Sequence, residues 1–314
     1  MIYILILFGF VILIYGGNLL VDGAVAVAKR LNVSSLLIGL TLVGFGTSTP
    51  ELVTSLFAAG MDADGIAVGN VVGSNIANIL LVLGVAACIC TIPVAKASFK
   101  RDSLFLSIAT GVLVLALALG KISFFIGLLM CATLGYYIYY SYQTEKKTPS
   151  FSEQKSTSTT PTKGSSKEIL FSFAKTIFGI ILTLIGARVL VINSVILAKR
   201  WGVSETVIGL TVVALGTSLP ELMTSIIASL KKHSDLAWGN VVGSNIYNAL
   251  FILGATALLV PVKVPPKMGV DIAIMVAATI LLLYFGHKGK LPKWAGGLFC
   301  TLYIFYIGYL ALNS

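Results

Sequence analysis

Runs of about 20 apolar residues, separated by short polar or charged stretches, recur along almost the whole chain, and each is long enough to cross roughly 30 Å of hydrocarbon as a helix. Ten such runs are counted, at 2–28, 35–59, 66–92, 103–119, 122–143, 168–198, 205–230, 236–260, 269–285 and 292–312. The pattern predicts an all-α membrane protein of ten transmembrane helices. Between the fifth and sixth runs, residues 145–167 (EKKTPSFSEQKSTSTTPTKGSSK) are rich in Ser, Thr, Pro and Lys. This composition cannot bury a core and reads as a flexible linker. It divides the chain into two five-span units, 1–144 and 168–314. The opening Met1-Ile2-Tyr3 carries no basic residue, and its apolar run exceeds a signal-peptide core, so it reads as a first span that is kept.

Composition agrees with the pattern. Hydrophobic residues make up 57 % of the 314 and charged residues only 11 %, against about 25 % charged in soluble domains. That argues against an ordinary soluble enzyme. The net charge of +10 comes from residues lying between apolar runs, so the expected partner is an anionic lipid surface and not a nucleic acid. Assigned to alternate sides, the linker side collects Lys29, Arg30, Lys96, Lys100, Arg101, Lys146, Lys147, Lys155, Lys163, Lys167, Lys231, Lys232, Lys288, Lys290 and Lys293, and the other side only Lys121, Lys199, Arg200, Lys263 and Lys267. A ratio of 15 to 5 places the linker in the cytoplasm and both termini outside a cell membrane. Tyr136, Tyr137, Tyr139, Tyr140 and Tyr142 read as an interfacial aromatic belt, and the four cysteines as small apolar residues.

The two halves repeat. LIGLTLVGFGTSTPELVTS at 37–55 matches VIGLTVVALGTSLPELMTS at 207–225, and AVGNVVGSNIANILLVLG at 67–84 matches AWGNVVGSNIYNALFILG at 237–254, both at an offset of 170 without a gap. The identities fall on Gly, Thr, Ser, Pro, Glu and Asn, which shared apolar composition does not explain. Five is an odd number of crossings, so the second copy enters from the opposite side. The repeats are therefore expected to be inverted, related by a pseudo-two-fold axis in the membrane plane, as in many secondary transporters.

The carboxylates read as lying inside spans, beyond their first turns, are Asp22, Glu51 and Glu221. The last two are repeat equivalents near mid-span, where an ionisable group costs at least about 2.5 to 3.5 kcal/mol unless it faces a cavity or partner. Each follows Gly-Thr-Ser-x-Pro, so the second and seventh helices are expected to break there and to release carbonyls that line a cavity or bind cations. A plainer reading of Ser48-x-x-Glu51 and Ser218-x-x-Glu221 is a capping box. Gly-Ser-Asn-x-x-Asn at 73–78 and 243–248 puts Ser and Asn on one helical face, where they serve either a ligand or interhelical hydrogen bonds. Gly69, Gly73, Gly239 and Gly243 read as packing glycines. With no His or Cys in either motif, the oxygen-only donor set suits calcium or sodium. Calcium balances two carboxylates, sodium ions replace it one carboxylate at a time, and such mutually exclusive occupancy of one anionic site is the minimal physics of an antiporter. Asp22 and Arg188 could pair or reach a water-filled cavity, Lys175 is expected to snorkel, and His233 and His287 to be solvated.

At these motifs the chain resembles the calcium/cation antiporter superfamily, within it the prokaryotic ten-span sodium/calcium exchangers. The resemblance implies coordination by Thr47, Ser48, Glu51, Ser74 and Asn78 and by Thr217, Ser218, Glu221, Ser244 and Asn248, with the carbonyls of Gly44 and Ala214 completing the shell. It implies transported calcium and sodium as the only bound partners, no cofactor and no enzymatic activity, and a first and sixth span that slide against the other eight. Gly16-Gly17 and Gly186-Ala187 suit such close contacts. Asn248, where potassium-dependent relatives carry Asp, points to a potassium-independent exchanger. Proton/calcium exchange through the same glutamates and a cation channel are the alternatives. An intramembrane hydrolase lacks the residues it needs.

Overall fold

A computed structural model describes residues 1–147, 166–202, 214–266 and 268–313. Its helices are α1 (Ile2–Leu31), α2 (Ser35–Thr47), α3 (Thr49–Gly60), α4 (Asp64–Ile89), α5 (Lys96–Ala118), α6 (Phe124–Lys147), α7 (Ser166–Arg200), α8 (Ala214–Thr217), α9 (Leu219–Leu230), α10 (Ser234–Leu259), α11 (Gly269–His287) and α12 (Lys293–Asn313). Eight are long and apolar enough to span a membrane, and α2 with α3 makes a ninth span bent by 41°. An all-helical chain is what lipid demands, because a helix satisfies its own backbone where no water can. The seventh expected run, 205–230, is described only from Ala214 onward, and 148–165 of the expected linker lie outside the described residues.

Most spans start and stop within three residues of the expected positions. The largest difference is α5, which begins at Lys96 instead of 103. Arg101 and Asp102 are buried and paired, Nε to Oδ1 at 2.7 Å, so together they cost the helix little and do not end it. At the other boundaries the chain forms two-residue strands. β1 (Ile92–Pro93) pairs antiparallel with β4 (Lys290–Leu291), and β2 (Lys121–Ile122) with β3 (Val262–Lys263). Each pairing ties one half of the chain to the other. Left-handed backbone falls at Asn32 and Gly202, Asp62 and Lys232, and Gly120 and Gly289. These are repeat-equivalent positions, so the turns follow the same periodicity as the motifs.

Two helices form the centre. The most apolar windows of α4 and α10 are 72 % and 83 % buried, against 28–44 % for the other spans. Around them, α1 and α7 lie antiparallel and almost touching. A Cβ on Gly16 would come within 2.5 Å of the Thr183 nitrogen, and one on Gly186 within 2.5 Å of the Leu13 nitrogen. Small residues permit this approach, and lipid supplies no competing attraction to hold such helices together otherwise. Asp22 of α1 pairs with Lys231 at 2.7 Å and Lys175 of α7 at 3.6 Å, so its partner is not Arg188 and Lys175 does more than snorkel. Of the tyrosine belt, Tyr136, Tyr139, Tyr140 and Tyr142 are exposed as expected, whereas Tyr137 is fully buried.

Candidate cation site

The site forms where two helices break. Ser48 stands between α2 and α3 with ψ near 7°, and Ser218 between α8 and α9 with ψ near 3°, both outside helical geometry. Pro50 and Pro220 follow, in the first turn of the restarting helix, where a missing N–H costs nothing. Neither serine caps its own helix, so the capping-box reading is not realised. Instead the Ser48 hydroxyl donates to Glu221 Oε1 at 3.3 Å across the molecule. A hydroxyl of one broken helix thus serves the carboxylate of the other, and the two carboxylates are close enough to act on one another electrostatically.

The central helices complete the cluster. Wider π-helical turns begin at Asn78 in α4 and at Asn248 in α10, a distortion that in helices often marks functional positions. Glu51, Ser74, Asn78, Thr47, Ser48, Ser218, Glu221, Ser244 and Asn248 are all buried, and Thr217 is half-buried. The Gly44 carbonyl accepts from the Ser244 hydroxyl at 3.4 Å and from the Ser48 N–H at 3.1 Å, and Ala214 opens α8. Glu51 Oε2, Glu221 Oε2, Ser218 Oγ and both amide atoms of Asn78 and of Asn248 are buried without a hydrogen-bond partner. Native proteins rarely leave such groups orphaned, because each costs about 1 to 3 kcal/mol. A cluster of oxygens around two carboxylates is satisfied by cations. Among the described residues no three His, Cys, Asp or Glu side chains converge, so a cation here would be held by two carboxylates and neutral oxygens, a hard donor set.

Sequence reasoning passed over Asn70 and Asn240, which hold the glutamate segments. Asn70 Nδ2 donates to the Glu51 carbonyl at 2.9 Å and to Ser55 Oγ at 3.0 Å. Asn240 Nδ2 donates to the Glu221 carbonyl at 3.3 Å and Ser225 Oγ at 3.0 Å, and its Oδ1 accepts from Thr47 at 3.3 Å. Both asparagines and both serines lie in the repeated segments at the offset of 170, a signal that could have found them. Asn240→Ala is expected to lower stability by about 1 to 2 kcal/mol, and Asn70→Ala, which is partly exposed, by less. Thermal unfolding in detergent checks the order, and equal midpoints would contradict it.

Gly239 and Gly243 are buried against α2, where a Cβ on Gly243 would come within 2.5 Å of the Leu40 carbonyl oxygen, so the packing reading holds for this pair. Leu36 and Leu40, which face them, have Thr206 and Leu210 as repeat equivalents, and these lie outside the described residues. Gly69, Gly73, Ser74, Thr217, Asn70, Asp271 and Tyr306 are among the described residues that line a cavity of about 450 Å³.

The fold is that of a cation exchanger, and the sequence places the chain in that class. It belongs to the sodium/calcium exchanger protein family, whose profile it matches over residues 1–143 and 171–312. It is 37 % identical over 320 residues to CaxA of Alkalimonas amylolytica, covering 98 % of this chain and 96 % of that one. It is 33 % identical over 345 residues to the sodium/calcium exchanger MaX1 of Methanosarcina acetivorans, covering 99 % and 97 %. Its structure is similar to that of the sodium-calcium exchanger NCX_Mj, with a TM-score of 0.84 at 32 % identity, covering 98 % and 99 % of the two chains.

Proposed function

We propose that this chain is a potassium-independent antiporter that exchanges sodium for calcium, not an enzyme, and that it carries no cofactor. Its ten transmembrane helices form two inverted five-helix repeats, 1–144 and 168–314, with the second and seventh helices broken at Ser48 and Ser218. A cytoplasmic linker over 145–167 joins them, and both termini lie outside. The observation that carries the reading is the approach of Glu51 and Glu221 from two broken helices, with Glu221 hydrogen-bonded by Ser48 of the opposite one, amid orphaned buried oxygens.

Calcium, with six to eight oxygen ligands at about 2.3 to 2.6 Å, neutralises both carboxylates at once. Thr47, Ser48, Ser74, Asn78, Thr217, Ser218, Ser244 and Asn248, with the carbonyls of Gly44 and Ala214, supply the remaining oxygens. Sodium ions replace calcium one carboxylate at a time, so the two cargoes exclude one another. An empty site holds two buried negative charges, a costly state to enclose. Occlusion therefore requires cargo, and exchange follows. The α1–α7 pair, packed through Gly16 and Gly186, slides across the other helices to change which side the site faces.

The test uses purified protein in liposomes loaded with sodium. Uptake of radioactive calcium driven by the outward sodium gradient and indifferent to potassium is expected. Uptake driven by a pH gradient alone would select proton exchange instead, and calcium flux without any counter-ion would select a channel.

A further inference from the structure

The two halves of the chain are alike in sequence, but the α1–α7 pair does not lie on them alike. α1 packs along α9, the half-helix that carries Glu221, and a Cβ on Gly17 would come within 2.6 Å of the buried Ile227 side chain. At the offset of 170 the matching contact is α7 along α3. All of α3 and α7 lie among the described residues, and α7 does not pack along α3 in that way. The α1–α7 pair thus rests against the glutamate helix of the second half. In a duplicated transporter the arrangement with the halves exchanged is the natural second state, because matching segments support either packing.

The contact of α1 with α9 ends in charge. Lys231 Nζ, just past the last turn of α9, reaches Asp22 Oδ1 at 2.7 Å, and Lys175 Nζ of α7 stands 3.6 Å from Oδ2. Lys231 follows Glu221 by ten residues, about 15 Å of helix at 1.5 Å per residue, so one rigid rod joins this ion pair to the cation site. The repeat equivalents of Asp22, Lys175 and Lys231 are Ile192, Leu5 and Met61. In the exchanged arrangement Ile192 approaches Met61, and neither carries a charge. The ion pair therefore belongs to one of the two states and has no counterpart in the other. Lys175 travels with Asp22, since α1 and α7 are joined at Gly23, where a Cβ would come within 2.6 Å of Thr176 Oγ1. It keeps a cation beside the carboxylate after α1 leaves α9, which lowers the cost of parting.

We infer that Asp22 and Lys231 are a positioning pair that holds the α1–α7 pair against α9 and so sets the balance between the two transport states. This rests on the antiporter reading above. The side chains of Lys231 and Asp22 are 31 % and 46 % exposed, and an ion pair of that exposure shifts an equilibrium only a few-fold. A bias of that size favours one state without trapping it.

The experiment measures half-saturating calcium from each face, in liposomes sorted by orientation, for wild-type protein, Lys231→Met, Asp22→Asn, the double variant and Lys231→Arg. A state that becomes less populated binds with proportionally weaker apparent affinity. In Lys231→Met the two half-saturations are expected to move in opposite directions, changing their ratio by about two- to fivefold. Asp22→Asn should change the ratio in the same direction, the double variant no further than either single one, and Lys231→Arg should stay near wild type. In a separate Asp22→Cys/Lys231→Cys variant, a short cleavable cross-link between the two cysteines should stop exchange, and cleaving it with a thiol reductant should restore it. An unchanged ratio in Lys231→Met overturns the inference, as do half-saturations that weaken together at both faces, since that is a structural defect. Exchange at an undiminished rate by the cross-linked variant also overturns it, because α1 and α9 then never part. Each of these leaves calcium exchange by the wild type standing, whereas wild-type protein that moves no calcium against sodium overturns both readings.

Discussion

Replacing either glutamate by glutamine is expected to abolish exchange, reducing the initial rate of sodium-driven calcium uptake by about 30- to 150-fold per substitution. The figure follows from a charged ligand worth about 2 to 3 kcal/mol, at 1.36 kcal/mol for each tenfold. Glu51→Gln and Glu221→Gln should behave alike, because both carboxylates are buried at repeat-equivalent positions and each carries one oxygen without a hydrogen-bond partner. Stability moves the other way. Without ions, the wild-type site encloses two like charges, so removing one is expected to leave the thermal midpoint unchanged or raise it. Calcium at 100 times its dissociation constant should stabilise wild type by about 2.7 kcal/mol, and this ligand-dependent rise should vanish in both variants. A variant that loses transport and also unfolds early in the absence of ions would indicate a structural role instead.

The second large effect falls on Gly243. Gly243→Leu places a side chain against the Leu40 backbone, and overpacking of that kind costs about 1 to 3 kcal/mol or more. It is expected to lower expression and the thermal midpoint. Thermal unfolding of the purified variant in detergent checks this, and a wild-type midpoint would mean that α2 and α10 do not pack through this glycine.

Much of this was legible in the sequence because membrane helices and duplicated motifs leave strong signals. Apolar runs located the spans, and identity at a fixed offset on Glu, Asn, Ser and Pro singled out Glu51 and Glu221 before any contact was known. Two features were hidden for physical reasons. Arg101 and Asp102 read as the polar end of a span, because hydropathy counts two charges without knowing that they neutralise one another inside the protein. The Ser-x-x-Glu spacing fitted a cap equally well, and only the three-dimensional arrangement turns Ser48 toward the opposite glutamate.

Equilibrium binding of radioactive calcium to the purified protein, measured while sodium is raised at constant ionic strength, tests the shared site most directly. Calcium should be displaced completely, with a sodium dependence steeper than one ion per calcium, and the Glu51→Gln/Glu221→Gln double variant should bind none. Calcium that stays bound at saturating sodium, or that binds the double variant as tightly as wild type, would contradict a single site held jointly by the two glutamates.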